Sequence, residues 1–261
     1  MTLQRYVSKE LTHFVGRGLS EEGQYSILVD SILRGGWLRH SPNTTQEPAE
    51  ILERGGVSLT IDRFAPLSEV YGPQVVCFCD IPVSDLEIHM RKYSRFGLSF
   101  LKPFLIEKGA NPVYYVAENS RALKWFMGEE PKGVSGYAVT RKLLFEHNVR
   151  EYIDLFWKLR MGDNPPQWDT GLLVPFPEEH EKIGLLQLLL DSYVFSFVKY
   201  FDDTTADEDP ENYYMEREWR VLGDVKFELD DVYRAILPRS YAERFRDDLP
   251  GYTGQVTFVE S

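Results

Sequence analysis

Two glutamates stand two residues apart in "YYMEREWRVL", residues 213–222. The aromatic and apolar residues around them predict one extended strand. Alternate residues of a strand share a face and rise about 3.3 Å each, so Glu216 and Glu218 are expected on one side, about 6.6 Å apart. Two carboxylates facing the same way repel each other unless a cation, a donor-rich ligand or water lies between them.

One enzymatic and one structural role follow directly from this spacing. An inverting glycoside hydrolase separates its acid and base by about 6.5–9.5 Å, which the predicted distance just reaches. However, neighbouring positions on one strand rarely flank opposite faces of a sugar. The structural alternative is an edge strand whose carboxylates face solvent, with Arg220 as an ion-pair partner. The aromatic residues nearby favour a cleft over an open surface.

Three other groups could carry chemistry. His13 lies in a predicted strand, where a lone histidine is more often a core group than a catalytic one. Tyr93, near the end of a predicted helix, is by default also a core residue. Cys77, Cys79 and His89 lack a fourth ligand at any recognised spacing, so no metal site is predicted. The sequence contains no dinucleotide-binding, P-loop, zinc-protease or serine-hydrolase motif.

The composition of the chain disfavours a protein that binds nucleic acid or anionic lipid over its whole surface. The chain has 261 residues with 29 basic and 41 acidic side chains, a net charge of −12. Such an acidic body repels nucleic acid and anionic lipid as a whole. The basic residues Arg91, Lys92, Arg95 and Lys102 are the candidates for a local phosphate-binding groove. Two cysteines and no apolar leader predict a reducing, cytoplasmic location.

One apolar segment tests the expectation that no part of the chain enters a membrane. Residues 183–201, "IGLLQLLLDSYVFSFVKYF", are about long enough to cross a bilayer. Gln187, Asp191 and Lys199 interrupt the segment, so a helix buried within its own domain is predicted instead.

Apolar periodicity predicts strands at both ends of the chain and helices between them. The strands are expected at residues 10–17, 74–81, 96–100, 112–116, 213–222, 232–238 and 254–261. The helices are expected before Gly35–Gly36 and at residues 84–94, 138–161, 183–201 and 240–247. Ser84 and Glu87 fit a capping box at the start of the second helix. The fold class is a single α+β domain over residues 1–261, with a helical insertion at about 117–201.

The order of these pieces resembles the ADP-ribosyltransferase family in its histidine–tyrosine–glutamate form. That family's first motif reads like His-Gly-[Ser/Thr] followed by Ile-Leu-x-x-Gly-Leu; this chain has "THFVGR" and "SILRGGWL". The second is a strand and a Ser-bearing helix ending in Tyr, here "VCFCDIPVSDLEIHMRKY". The third is Glu-Tyr-x-Val, here "EWRV". The resemblance implies a split antiparallel β-sheet core and NAD as co-substrate, without a metal.

The same resemblance assigns a role to each matching residue. His13 would bind the adenosine ribose of NAD, and Tyr93 would stack on the nicotinamide ring. Glu218 would stabilise the positive charge that develops on the ribose as the glycosidic bond breaks, and Glu216 would orient the acceptor. Phe14 stands beside the cofactor where the family usually has glycine, so the backbone would approach the ligand less closely.

A second resemblance covers most of the chain. The segments "CFCDIP", "HMRKYSRFGLSF" and "MEREWRV" are similar to the AbiGi group of bacterial abortive-infection proteins. Two functions follow from the resemblances. One is a phage-defence toxin that transfers ADP-ribose from NAD to a nucleic-acid or protein acceptor. The alternative is a catalytically inactive antitoxin or regulatory protein that binds a cognate partner.

Overall fold

A computed structural model of the chain describes residues 8–40, 51–54, 57–60, 71–117, 189–209 and 212–259. The chain divides into two compact units, each assembled from separate stretches of sequence. The first comprises Met1–Ser41, Gln74–Tyr114 and Thr204–Ser261, and the second comprises Pro42–Pro73 and Tyr115–Asp203. Every candidate site residue belongs to the first unit.

The described strands and helices are as follows. The strands are β1 Glu10–Phe14, β2 Trp37–Leu38, β3 Ile51–Arg54, β4 Val57–Thr60, β5 Tyr71–Pro73, β6 Val75–Cys79, β7 Gly97–Leu101, β8 Asn111–Pro112, β9 Tyr114–Ala117, β10 Val198–Phe201, β11 Glu218–Leu222, β12 Val225–Lys226, β13 Val232–Pro238 and β14 Gln255–Val259. The α-helices are α1 Glu21–Ser26, α2 Glu87–Lys92, α3 Lys102–Glu107 and α4 Ala242–Asp248. A π-helical stretch, Ile27–Leu33, continues α1, and another spans Leu190–Val194. Short 3₁₀ turns occupy Val83–Asp85, Phe195–Phe197, Tyr213–Glu216, Leu229–Asp231 and Arg239–Tyr241.

Within the described part of the first unit, seven strands form one sheet in the order β14-β13-β7-β1-β6-β11-β8. All neighbours in this sheet are antiparallel except β13 and β14. The fold is therefore mixed α+β with a mostly antiparallel sheet, as predicted. The finer expectation of a transferase-type core stays a prediction.

One face of this sheet carries the main apolar core. Leu11, Phe78, Leu98 and Val221 lie on this face and are at most 2% exposed. Burying each such side chain stabilises the fold by about 1.5–3 kcal/mol. Helix α1 and its π-helical continuation pack against this core, which fixes the orientation of the sheet's central strands.

The other face carries a buried polar row across four neighbouring strands. Ser99 lies opposite Thr12, Thr12 opposite Cys79, and Cys79 opposite Glu218. Paired residues on antiparallel strands project to the same side, so these four side chains share one face. All four are at most 7% exposed. The row places Glu218 beside the centre of the sheet rather than at an open edge.

The structure corrects two local predictions. Helix α2 begins at Glu87 without a side-chain cap, because Ser84 lies in the preceding 3₁₀ turn and caps nothing there. The predicted helix 183–201 ends in a 3₁₀ turn at Phe195–Phe197 and a strand, β10, from Val198. β-branched Val198 and the aromatic residues beside it favour an extended backbone there.

Two further predictions concern residues that are mostly not described. The predicted helix at 138–161 lies outside the described residues. Most of the predicted helical insertion at 117–201 does too, so the single-domain organisation stays a prediction. In the described part of the chain, no helix combines the length and the apolar character needed to cross a bilayer.

Candidate functional site

The two glutamates do not lie on one strand. Residues Tyr213–Glu216 form a 3₁₀ turn, and only from Glu218 onward is the chain a strand. Between them Arg217 has φ of +47° and ψ of +51°, the left-handed region that a non-glycine residue rarely adopts. The prediction of one strand over 213–222 is therefore wrong. The predicted spacing of about 6.6 Å between Glu216 and Glu218 depended on that strand and is wrong as well.

The turn is held at both ends. The side chain of Asn212 accepts a hydrogen bond from the backbone N–H of Tyr214 at 3.2 Å. The carbonyl of Arg217 accepts from the backbone N–H of Asp80, just beyond β6, at 3.2 Å. Counted over the whole residue, Glu216 and Glu218, which flank Arg217, are each 5% exposed.

Glu216 is enclosed by helix α2 and the residue that ends it. One of its carboxylate oxygens accepts a hydrogen bond from the ammonium of Lys92 at 3.0 Å and a short one from the Tyr93 hydroxyl. The ammonium of Lys92 also lies 3.9 Å from the ring centroid of Tyr213. A buried carboxylate needs a cation and donors of this kind to offset its desolvation, and the chain supplies them itself.

Glu218 is likewise bound within the chain. Its carboxylate accepts a hydrogen bond from Nε of Arg220 at 2.6 Å, and the two side chains are 6% and 12% exposed. Residues 218 and 220 share a face of β11, so this ion pair forms along one strand. The predicted partner is confirmed, but the carboxylate is buried rather than facing solvent.

Tyr93 lies close to both carboxylates. Burial and the negative charge and hydrogen bond of Glu216 raise the pKa of Tyr93 far above its usual range, with a smaller contribution from Glu218. The ring of Phe14 is stacked parallel to that of Tyr93, with centroids 6.3 Å apart. The guanidinium of Arg17 lies 5.4 Å from the Tyr93 ring. Nicotinamide was expected to stack on the ring of Tyr93. The chain's own side chains, Phe14 and Arg17, lie beside that ring instead.

His13 lies on the other face of the sheet. It pairs with Leu98 on β7, its ring centroid is 5.7 Å from that of Phe78, and its Nδ1 lies 2.7 Å from the Cys77 carbonyl. Desolvation lowers the pKa of His13 below 6.5, although the bond to Cys77 opposes the shift. Since strand neighbours alternate between faces, Thr12 rather than His13 shares the side of Glu218. The structure thus groups Tyr93, Phe14, Glu216 and Glu218, but not His13.

The predicted basic groove is largely engaged in ion pairs. Besides Lys92 with Glu216, Lys102 pairs with Asp80 at 2.7 Å and Arg95 pairs with Glu21. The sequence makes these cations candidates for a phosphate-binding groove, because no local pattern links them to acids so far away in the chain. The described residues contain no cluster of His, Cys, Asp and Glu suited to holding a metal ion.

Comparison with known proteins assigns the family. Residues 62–247, more than two thirds of the chain, match the family described as "Putative abortive phage resistance protein AbiGi, antitoxin". The chain belongs to the AbiGi family. The matched span contains Tyr93, Glu216 and Glu218, but neither His13 nor Phe14.

A curated relative supports the same family. The abortive phage resistance protein AbiGi of Lactococcus lactis subsp. cremoris is 38% identical over 60 residues. That stretch covers 21% of this chain and 24% of the relative, so the comparison spans about a quarter of the relative's length. No solved structure matches the chain.

Proposed function

We propose that this AbiGi-family chain is the antitoxin of an abortive-infection pair, a protein that neutralises a cognate toxin by binding it. The family description supports this function directly. A binding protein can hold a toxin inactive without chemistry of its own.

The observation that carries the proposal is that the carboxylates of Glu216 and Glu218 are both buried and already bound by side chains of the chain itself. A transferase needs a carboxylate that faces the sugar as positive charge develops there. Glu216 already binds Lys92 and Tyr93, and Glu218 already binds Arg220, all within one buried cluster. Releasing either carboxylate toward a ligand would leave a buried cation without its partner, at a cost of several kcal/mol.

The position of His13 supports the same conclusion. A dinucleotide bound between His13 and Glu218 would have to reach both faces of the sheet at once. The stacked ring of Phe14 beside Tyr93 adds to this, because a nicotinamide would compete with it. An inactive scaffold, in which His13 and Glu218 lie on opposite faces of the sheet, fits both features.

The experiment that tests the antitoxin function is direct binding to the product of the gene next to this one, which is the candidate toxin. The two purified proteins are mixed and examined by size-exclusion chromatography with light scattering. We expect a complex whose mass equals the sum of its components, and loss of toxin activity in the same fractions. Separate elution with full toxin activity would contradict the proposal.

A second candidate, transfer of ADP-ribose from NAD to a nucleic-acid or protein acceptor, is favoured by one observation. Tyr93 and Glu218 are near enough for the carboxylate to contribute to the raised pKa of the tyrosine. Incubation with labelled NAD and cell lysate tests it, with Glu218→Gln as the control. Label that moves with the wild-type chain and not with the variant would establish this function in place of the first.

A further inference from the structure

The turn before β11 exposes three consecutive large side chains. Tyr213, Tyr214 and Met215 are 37%, 50% and 38% exposed, whereas Glu216 beside them is 5% exposed. Apolar residues scattered singly on a surface need no explanation, but a contiguous group marks an interaction site more often. We refer to residues 213–215 as the tyrosine turn.

Several polar contacts hold the tyrosine turn in place. Glu216 anchors it beneath through Lys92 and Tyr93, and the Lys92 ammonium also holds the Tyr213 ring at 3.9 Å. Asn212 caps it at the start. A surface already fixed in one conformation loses little entropy on binding, so this arrangement suits recognition of a partner.

Acidic residues are held next to the tyrosine turn. Asp207, Glu208 and Asp209, here called the acidic turn, are all exposed. The side-chain amide of Asn212 donates to the carbonyls of Thr205 and Ala206 at 3.1 and 3.2 Å, and the Asn212 backbone N–H donates to the Asp209 carbonyl at 2.9 Å. One buried asparagine therefore connects the two turns and fixes three negative charges beside three apolar side chains.

We propose that the tyrosine turn and the acidic turn together form the docking surface for the cognate toxin. The toxin surface that fits them carries lysine or arginine side chains around an apolar recess. This inference rests on the antitoxin function proposed above. Tyrosine and methionine are enriched in the buried centres of protein interfaces, and complementary charge at the rim accelerates encounter and excludes wrong partners.

Charge selects this occupant over two others. A second copy of the chain packed through the same two-fold surface would bring two acidic turns together, which is repulsive. A nucleic acid would be repelled by the acidic turn and by the net charge of −12. A basic protein surface is attracted by both features.

The test measures binding of the wild-type chain and of paired variants to the product of the adjacent gene, the candidate toxin, by biolayer interferometry. Tyr214→Ala with Met215→Ala removes the apolar contacts, and Tyr114→Ala, at a site 66% exposed, is the matched control. We expect the double variant to weaken the Kd by about 30-fold or more, and the control by less than about twofold.

A second pair of variants tests the charges. Asp207→Asn with Glu208→Gln is compared with Glu243→Gln with Asp247→Asn, which removes the same charge from the exposed side of α4. The first pair should slow association about tenfold at low salt, with the difference lost at high salt, and the second pair should not. Thermal melts of all variants verify that the fold is retained.

The outcomes separate the surface from the function. Tight binding by the wild type together with unchanged binding by both test pairs overturns the docking surface and leaves the antitoxin function in place. No binding by the wild type overturns both. A concentration-dependent dimer that Tyr214→Ala with Met215→Ala dissolves would assign the surface to a second copy and overturn the proposed occupant.

Discussion

The ammonium of Lys92 lies 3.0 Å from a carboxylate oxygen of Glu216, and the two side chains are 3% and 7% exposed. The residues are 124 positions apart in the chain, so their ion pair joins the end of α2 to the turn before β11. The position of the tyrosine turn and the burial of Glu216 depend on this contact. Removing one partner of such a pair is far more costly than removing both charges.

Lys92→Met is therefore expected to lower the free energy of unfolding by about 3 kcal/mol, because Glu216 is left buried without its cation. Adding Glu216→Gln should recover more than half of that loss, since the amide still accepts from the Tyr93 hydroxyl and carries no charge. Urea unfolding of the single and double variants measures both effects.

Arg91→Met is the matched control for that cycle, because Arg91 stands next to Lys92 on the same helix but is exposed. Its effect should stay within about 0.5 kcal/mol. A double variant less stable than Lys92→Met alone would show that the ion pair is not what holds the turn.

Substitutions of Arg217 test the left-handed backbone conformation between Glu216 and Glu218. Asparagine tolerates this conformation better than other non-glycine residues, while a β-branched residue is strained in it. Arg217→Val should lower the free energy of unfolding by about 1–2 kcal/mol more than Arg217→Asn does. Both variants remove the same charge, so an equal effect on the thermal midpoint would contradict the turn geometry.

His13 predicts a pH dependence of stability. Its pKa in the folded chain lies below the ordinary 6.5, so the unfolded chain takes up the proton first as the pH falls. The contribution of neutral His13 is complete above pH 6.5 and is lost as the pH falls toward its folded-state pKa. The unfolding free energy of wild type should therefore fall more steeply below pH 6.5 than that of His13→Gln. Parallel curves would place His13 in a solvated position.

The two cysteines should react at different rates. Cys77 is exposed and Cys79 is buried. Burial and the negative charge of Glu216 raise the pKa of the Cys79 thiol, so its thiolate is scarce at neutral pH. A maleimide should label the native wild type at one thiol, and Cys77→Ser should abolish that fast labelling. Equal labelling of Cys77→Ser and Cys79→Ser would mean that the row beside Glu218 is open to solvent.

The period of the apolar residues, together with the turn residues, was sufficient to predict many of the strands and helices of the first unit. The strands around His13 and Cys79, and the strand "VYRAILP", follow apolar runs bounded by turn residues, and the structure places β1, β6 and β13 there. The helix before Gly36 is also where its apolar spacing predicts it, with Gly36 at φ of +67°. Local patterns of this kind are set by residues close together in sequence.

The arrangement of the site depended on information that the sequence does not display. The left-handed backbone at Arg217 has no sequence signal, because arginine is not a residue that favours it. The partners of Glu216 lie 123 and 124 positions away. The face on which His13 lies depends on strand register, and a shift of one residue exchanges the two faces. Composition and motif order determine none of these.

Colony formation by cells that express the chain, the product of the adjacent gene as the candidate toxin, or both tests the antitoxin function most directly. We predict normal growth with the chain alone, no growth with the toxin alone, and restored growth with both, for wild type and for Glu218→Gln alike. Growth arrest caused by the wild-type chain alone, and abolished by Glu218→Gln, would contradict the antitoxin function and establish the buried carboxylate as catalytic.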